Sequence, residues 1–346
     1  MHMGPLTGLK ILDFSTLLPG PFATMMLADL GADVLHVEAP GKRDVVKDLK
    51  PILESGNSAS YEQLNRGKKT ISIDLKSDEG KAKVHELLEQ YDIVVEQFRP
   101  GVMDRLGFGY EQLKTTHPAL IYCSITGYGQ TGPLAAHAGH DINYLSLTGI
   151  ANAMRRDGEK PVASAMQIAD LGGGALHAVI GILTAYIERL RTGVGRHLDI
   201  SMFDAALSLH PLFGPMQLAT NEDITPEAEE LNGGSFYDYY ETSDGRYVAV
   251  GSLELKFQQR LAELLQLPNW FEQSIEAQKA LLTTAFQQKT FAEWQQLLAN
   301  ESELCVTPVL TFLEATKQPH AQARGLVTGA QVNSPLHFTE KKGEMI

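Results

Sequence analysis

Short apolar runs bounded by turn residues recur along the N-terminal part of the chain, and stretches with helical periodicity lie between them. Such runs are typical of buried strands, and they predict strands over 9–14, 34–38, 70–74, 92–96, 120–126 and 196–201. The intervening segments predict helices over 21–30, 78–90 and 110–115, and a long apolar helix after Asp170. Strands that alternate with helices form parallel sheets with helices on their faces, so the predicted fold class is α/β.

The pattern changes after about residue 220. Residues 221–234 are acidic and contain glycines, as linkers do, and residues 236–241 and 247–250 flank Asp244-Gly245, a strong signal for a β-hairpin. Helices rich in Leu, Gln and Ala follow over about 256–298. We therefore predict a large domain over 1–220, and a linker with a smaller α+β domain over 221–324.

Composition and charge narrow the function classes. The 346 residues suit two domains, and 43% hydrophobic with 21% charged residues is typical of a globular protein. A net charge of −13 argues against a protein that coats nucleic acid. Two cysteines, Cys123 and Cys305, exclude a disulfide framework and favour a reducing compartment. The start lacks a signal-peptide pattern, and the longest apolar run, 175–187, is too short to span a bilayer, so we expect a cytoplasmic protein without a membrane segment.

Two motifs in the loop after residue 126 suggest chemistry that their context does not support. Residues 127–132 match G-x-G-x-x-G, but Pro133 follows, no helix opens there and no acidic strand end lies some twenty residues on. A loop that lies close to a ligand is the favoured interpretation. His137 and His140 could suggest a metal, but the sequence offers no third and fourth ligand, so no metal is expected.

Two carboxylates lie at predicted helix starts, and Asp170 has two interpretations. Asp170 precedes Leu171 and three glycines at the start of the long helix. It is either an N-cap or an acid, base or nucleophile beside N–H groups that could stabilise an oxyanion, and the spacing alone does not decide between them. Glu254 follows a predicted strand, where a helix-capping glutamate is the simplest interpretation.

Basic residues cluster in the first third of this acidic chain, namely Lys42, Arg43, Arg66, Lys68, Lys69, Arg99 and Arg105. They form either a solvated face or a phosphate site. Arg99 favours the phosphate site, because it follows a predicted strand directly and ligands of parallel sheets bind at the carboxyl ends of strands.

Read in order, several segments together resemble the class III coenzyme A transferases (CaiB/BaiF-type), and in particular their α-methylacyl-CoA racemase branch. They are GLKILD (8–13), NRGKK (65–69) with DLK (74–76), FRPG (98–101), GYGQTGP (127–133), GHDINY (139–144) and ADLGGG (169–174). The resemblance covers nearly the whole chain. It implies a Rossmann-like large domain completed by residues 325–346, a small domain, and two chains interlocked as a homodimer.

The resemblance also implies an acyl-CoA ligand, with no cofactor other than the CoA that the substrate carries. The residues matched to CoA contacts are Arg43, Lys69, Thr70, Ile71, Ser72, Gln97, Phe98, Arg99, Arg105, Gly139, Asp141, Ile142, Asn143 and Tyr144. Ala39 stands where the family often has arginine, and Lys42 and Arg43 are the candidate replacements.

Two chemistries divide the family. Transferases use an aspartate, matched by Asp170, as a nucleophile that becomes an aspartyl-CoA thioester. Racemases use that aspartate with a histidine, matched by His140, as two bases on opposite faces of the α-carbon, and a glutamate matched by Glu254 orients the histidine. Because all three residues are present, we favour a racemase of 2-methyl-branched acyl-CoA. A CoA-transferase is the alternative, and a CoA-binding protein without catalysis is the third possibility.

Overall fold

The computed structural model describes residues 4–338. Its strands are β1 (Lys10–Asp13), β2 (Asp33–Glu38), β3 (Lys69–Ser72), β4 (Ile93–Glu96), β5 (Ile121–Thr126), β6 (His197–Ser201), β7 (Asp238–Glu241), β8 (Tyr247–Val250), β9 (Val306–Pro308), β10 (Val327–Thr328) and β11 (Gln331–Val332).

The α-helices are α1 (Pro19–Asp29), α2 (Ala59–Asn65), α3 (Asp78–Leu88), α4 (Val102–Leu106), α5 (Tyr110–Leu113), α6 (Asp141–Leu147), α7 (Ile150–Ala153), α8 (Leu176–Thr192), α9 (Met202–Ser208), α10 (Phe213–Thr220), α11 (Leu255–Leu265), α12 (Ile275–Phe286), α13 (Phe291–Leu298), α14 (Phe312–Thr316) and α15 (Pro319–Ala323). Short 3₁₀ turns occupy Val45–Asp48 and Trp270–Glu272, and a π-helical segment, Ile168–Ala175, precedes α8. The sequence analysis placed the start of α1 two residues too late, because Pro19 rather than Pro21 takes the first helical position.

A six-stranded parallel sheet forms the first unit, in the order β3-β2-β1-β4-β5-β6. This is the doubly wound order, in which the sequence order of the strands across the sheet reverses between β1 and β4. One apolar layer packs α1 and α8 against the sheet around Ile11, Ile121 and Ile182, and a second packs α3 and α5 around Leu12, Val84 and Tyr122. The predicted α/β class is confirmed, and the carboxyl ends of β1 and β4 are the expected place for a ligand.

A buried ionic cluster holds the carboxyl end of β1. Asp13 is fully buried and accepts hydrogen bonds from Ser15 and Thr24, while the Lys68 Nζ lies 3.4 Å from its Oδ2. Burial alone would raise the pKa of Asp13, but the Lys68 charge and the hydrogen bonds outweigh it and hold the pKa well below its usual range. Lys68 is therefore a structural cation and is not available to a phosphate.

The second unit comprises 151–162 and 212–325, and residues 326–338 pack with the first unit. Its sheet is antiparallel in the order β7-β8-β9, and the predicted hairpin across Asp244-Gly245 is confirmed. Its core contains Trp270, Phe286 and Trp294. Sequence reasoning placed the boundary at 220/221, whereas the contacts divide the chain after Pro211 and assign 151–162 to the second unit. The end of the expected returning segment, 339–346, lies outside the described residues.

Within residues 4–338, the continuous helical stretch Ile168–Thr192 is long and apolar enough to cross a membrane by length and composition. The core helix of a globular protein meets the same criterion, and the buried side of this stretch, including Ala178 and Ile182, packs in the first apolar layer.

Candidate active site

His140 lies where the glycine-rich loop meets α6. It is the N-cap of α6, and its own N–H donates to the Asn143 Oδ1 at 3.0 Å, while its imidazole side is exposed. The loop before it is shaped by Tyr144, whose hydroxyl donates to the Gly139 carbonyl at 2.7 Å. A Cβ on Gly127 would lie 2.6 Å from the Tyr144 hydroxyl, and one on Gly139 would lie 2.6 Å from its ring. Both glycines are therefore explained by the buried tyrosine that they enclose.

The same contacts account for the G-x-G-x-x-G match. Gly129 and Gly132 have φ values of 82° and 91°, which favour glycine, and the next helix is α6 at Asp141. The motif is a turn-rich loop that leads to His140. Asn143 and Tyr144, which were matched to CoA contacts, thus have structural roles here. Asn143 accepts the His140 N–H at the start of α6, and the buried Tyr144 side chain packs under the loop.

Asp141 connects the start of α6 to the segment that carries Asp170. Its Oδ1 accepts the N–H groups of Ala169 at 2.7 Å and Asp170 at 3.0 Å. The residue next to His140 is therefore hydrogen-bonded to the backbone of Asp170, across 29 positions of sequence. The two predicted acid/base residues belong to one constellation within the first unit.

Asp170 is not an N-cap. It is the third residue of the π-helical segment Ile168–Ala175, whose N-cap is Gln167. Of the two interpretations of Asp170, the N-cap is therefore excluded, because the helix begins three residues earlier than a cap at Asp170 would place it, in a π-turn that periodicity does not reveal. Single π-turns inside longer helices are frequent at functional sites.

Burial raises the pKa of Asp170 to about 6, and the neighbouring Asp141 charge adds to this, while His140 acts in the opposite direction. A carboxyl with such a pKa can both take and return a proton near neutral pH.

The three glycines after Asp170 have different roles. A Cβ on Gly173 would lie 3.2 Å from the Met202 carbonyl oxygen, and one on Gly174 would lie 3.0 Å from the Met202 Cγ, so packing against α9 explains both. At Gly172 the nearest atom would be a Leu209 methyl carbon at 3.9 Å. Packing within the described residues thus does not require glycine at 172, and the backbone is open to close approach there.

The N–H groups at the start of this segment are largely occupied. Those of Ala169 and Asp170 bond Asp141, and that of Leu171 donates to the Gln167 carbonyl at 2.9 Å. These three N–H groups are therefore not available to an oxyanion, whereas the side of Gly172 on which a side chain would lie is open to close approach.

Glu254 lies in the second unit, at the N-cap position of α11. Its side chain is exposed and makes no capping hydrogen bond, so the helix-capping interpretation is not supported by the contacts.

The basic residues separate into paired and unpaired groups. Lys68 is held by Asp13, Arg66 by Asp29, Arg43 by Asp48 at 2.7 Å and Lys69 by Asp33 at 2.8 Å. Lys69 also begins β3, so it lies at the opposite end of that strand from Ser72, while Thr70 and Ser72 are exposed on this edge strand and Ile71 is half-buried. Among residues 4–338, the side chains of Lys42, Arg99 and Arg105 have no ion pair or hydrogen bond, and all three are exposed.

The loop that presents Arg99 is anchored by two side chains. The Gln97 Oε1 accepts the Gly20 N–H at 3.1 Å near the start of α1. Glu96, at the carboxyl end of β4, accepts the Phe98 N–H at 2.8 Å and is 4% exposed. Burial raises the pKa of Glu96 to about 7, although a hydrogen bond from Ser124 lowers it in part. Sequence reasoning did not single out Glu96. Its raised pKa comes from burial of the side chain at the end of β4, which the sequence does not reveal.

A family model described as CoA-transferase family III matches residues 6–341, so the chain belongs to this family. It is 37% identical over 332 residues to an alpha-methylacyl-CoA racemase from Homo sapiens, covering 92% of this chain and 81% of that one. It is 33% identical to an acetyl-CoA:oxalate CoA-transferase from Acetobacter aceti, covering 94% and 85%. A crystal structure of a CAIB/BAIF family protein from Brucella suis superposes with a TM-score of 0.87 at 30% identity, covering 100% of this chain and 95% of that one.

Proposed function

We propose that this family III enzyme is a racemase of 2-methyl-branched acyl-CoA thioesters. The observation that carries the proposal is the Asp141 link, which joins the residue after His140 to the backbone N–H of Asp170 at 3.0 Å. Inversion at an α-carbon needs two groups that can each donate and accept a proton. A histidine side chain and an aspartate whose pKa burial raises to about 6 are two such groups.

In the proposed reaction one base removes the α-proton and the thioester becomes an enolate. The other base returns a proton to the opposite face, which inverts the stereocentre. The enolate oxygen approaches the backbone at Gly172, where the nearest atom that an added Cβ would meet outside its own helix is a Leu209 methyl carbon at 3.9 Å. Preorganised donors at such a position stabilise the developing charge.

A CoA-transferase is the second candidate, since a relative at 33% identity is named as one. A nucleophilic aspartate needs no second acid/base group, whereas inversion of a stereocentre needs two. The presence of His140 near Asp170 therefore favours the acid/base role. The role that the racemase resemblance implies for Glu254 also stays a proposal.

The CoA phosphates are proposed to meet Arg99 and Arg105, whose exposed guanidinium groups have no partner among the described residues. Lys42, equally unpaired, is the better replacement for the arginine that the resemblance expects at position 39, because Arg43 is bound to Asp48. Of the other residues matched to CoA contacts, Lys69 could bind a phosphate only after it leaves its ion pair with Asp33. Ile142, two residues after His140, is already exposed.

An interlocked homodimer is part of the proposal. One face of α8 exposes Leu176, Ile180, Ile187 and Leu190, with 61% of Ile180 and 68% of Leu190 accessible. Apolar residues at this helical spacing are typical of a face that packs on another surface. We expect a dimer in sedimentation velocity, and a monomer at micromolar concentration would refute this part. Location in the cytoplasm and independence of any cofactor beyond the substrate's own CoA also stay proposals.

The test is α-proton exchange on one epimer of a 2-methylacyl-CoA in deuterated water, followed by mass spectrometry and chiral analysis. We expect deuterium at the α-carbon with loss of optical purity in the wild type, and loss of racemisation in Asp170→Asn and His140→Ala. His137→Ala is the matched control, since His137 is exposed in the same loop. Full racemisation by His140→Ala would refute the two-base mechanism. Absence of exchange, together with trapping of CoA on Asp170 in the presence of a carboxylate acceptor, would establish the transferase.

A further inference from the structure

A histidine that the proposed reaction does not use contacts the turn that carries Asp170. The His177 Nδ1, in the first turn of α8, lies 2.9 Å from the carbonyl oxygen of Gly172. This spacing of five residues is the register of a π-turn, and the Leu176 N–H bonds the Leu171 carbonyl in the same register. The imidazole therefore supplies a side-chain hydrogen bond at the point where the π-turn passes into α8.

The segment needs such a contact more than an ordinary helix does. It contains three consecutive glycines, and glycine is the residue least favourable in a helix after proline. Neighbours close around Gly173 and Gly174, but at Gly172 the space that a side chain would fill is open. The Gly172 carbonyl is thus held by His177 at a point where packing gives little support.

Asp170 lies between two such contacts. On its N-terminal side, the Asp141 Oδ1 accepts the Asp170 N–H at 3.0 Å. On its C-terminal side, two residues on, His177 holds the carbonyl of Gly172. We propose that His177 is a positioning residue that, together with Asp141, fixes the π-turn and so keeps the Asp170 carboxyl at its half-buried position. This inference rests on the proposed acid/base role of Asp170.

The contact requires a proton on the Nδ1, because a carbonyl oxygen only accepts. The neutral tautomer with that proton and the imidazolium ion both supply it. The titratable groups that act on Asp170 itself are Asp141 and His140, and Tyr144 lies beside them. All three stay unchanged in the variants below.

The decisive pair is His177→Leu and His177→Asn. The asparagine amide nitrogen is attached to Cγ, as is the histidine Nδ1, so the variant keeps a donor at nearly the same place. His210→Leu is the matched control, since the His210 Nε2 makes a similar 2.9 Å contact with the Thr148 carbonyl.

The first readout is the pKa of Asp170, measured by ¹³C NMR of labelled carboxyl groups and assigned with Asp170→Asn. We expect about 6 in the wild type, a lower value in His177→Leu because water reaches the loosened turn, and a wild-type value in His177→Asn and His210→Leu. Loss of overall stability alone would lower the melting temperature without moving this pKa.

The second readout is α-proton exchange. In His177→Leu we expect kcat to fall roughly tenfold, as misplaced catalytic groups do, with KM changed less than about twofold and the acidic limb of the rate profile shifted downward. An unchanged pKa and kcat in His177→Leu, or equal damage in His177→Asn, would overturn the inference. If the wild type exchanges no α-proton, the proposed function fails, while the NMR pKa still tests the role of His177.

If His177→Leu does not fold, the tautomer of the wild type decides. ¹⁵N NMR at pH 8 should show the proton of His177 on the Nδ1, and a proton on the Nε2 alone would contradict the contact.

Discussion

Replacing Glu96 by glutamine should stabilise the protein at alkaline pH. The Glu96 side chain is 4% exposed, and burial raises its pKa from 4.5 to about 7. A carboxyl whose folded-state pKa lies above its unfolded-state pKa favours folding in its neutral form. Its penalty is therefore absent below pH 4.5, grows as the pH rises through the window between the two pKa values, and is complete above pH 7.

The magnitude follows from the same two values. The difference between the two pKa values corresponds to about 3 kcal/mol of unfolding free energy at pH 8 and less than about 1 kcal/mol at pH 5. Glutamine has no charge to desolvate, and its carbonyl can still accept the Phe98 N–H and the hydrogen bond from Ser124. Glu96→Gln should thus be more stable than the wild type by about 3 kcal/mol at pH 8, and nearly equal to it at pH 5.

Urea unfolding at the two pH values measures this difference. Far-UV circular dichroism is the suitable probe, because both tryptophans, Trp270 and Trp294, lie in the second unit and Glu96 lies in the first. Glu54→Gln is the matched control, since Glu54 is exposed in a loop of the same unit. Most substitutions of buried residues destabilise a protein. A gain in the free energy of unfolding that is confined to high pH would therefore identify the charge of Glu96 as its cause. An equal change at pH 5 and pH 8 would refute the argument that an uncompensated buried charge sits at Glu96.

Three further predictions concern packing and binding. Asp13→Asn should destabilise the first unit by about 3–5 kcal/mol, because it leaves the Lys68 ammonium buried without its counter-charge, and urea unfolding checks it. Gly174→Ala should lower the melting temperature through its 3.0 Å contact with Met202, whereas Gly172→Ala should leave it unchanged and lower kcat. Arg105→Ala should weaken CoA binding by about tenfold in calorimetry, which is the size of one lost charge-assisted contact. Removal of a cation that already has a partner, such as Arg66 with Asp29, should have no comparable effect.

The fold could be predicted largely from the sequence because its signals are local. Apolar runs separated by helical stretches place the strands of the parallel sheet, and Asp244-Gly245 marks the hairpin of the second unit. The domain boundary was harder to predict from the sequence. The segment 151–162 belongs to the second unit through contacts such as the Arg156–Asp238 ion pair at 2.8 Å, which joins residues 82 positions apart.

The basic residues show where sequence reasoning ends. Composition identifies a cluster of cations, but whether a cation is free depends on a carboxylate brought to it by folding. Arg66 lies beside Asp29 and Lys69 beside Asp33, in each case a partner more than thirty residues earlier in the chain. Arg99 and Arg105, which look no different in the sequence, are the ones left without such a partner among the described residues.

The same reasoning applies to Asp170, whose properties come from its surroundings rather than from its motif. An aspartate before a run of glycines at a helix start fits an N-cap as well as a functional carboxylate, and the spacing does not decide between them. Here the helix begins earlier, in a π-turn, so the carboxyl lies inside the segment and is partly removed from water. Asp141 takes the N–H groups that a capping side chain would otherwise satisfy. Freed from capping and raised in pKa by burial, Asp170 is left in the protonation range that reversible proton transfer requires.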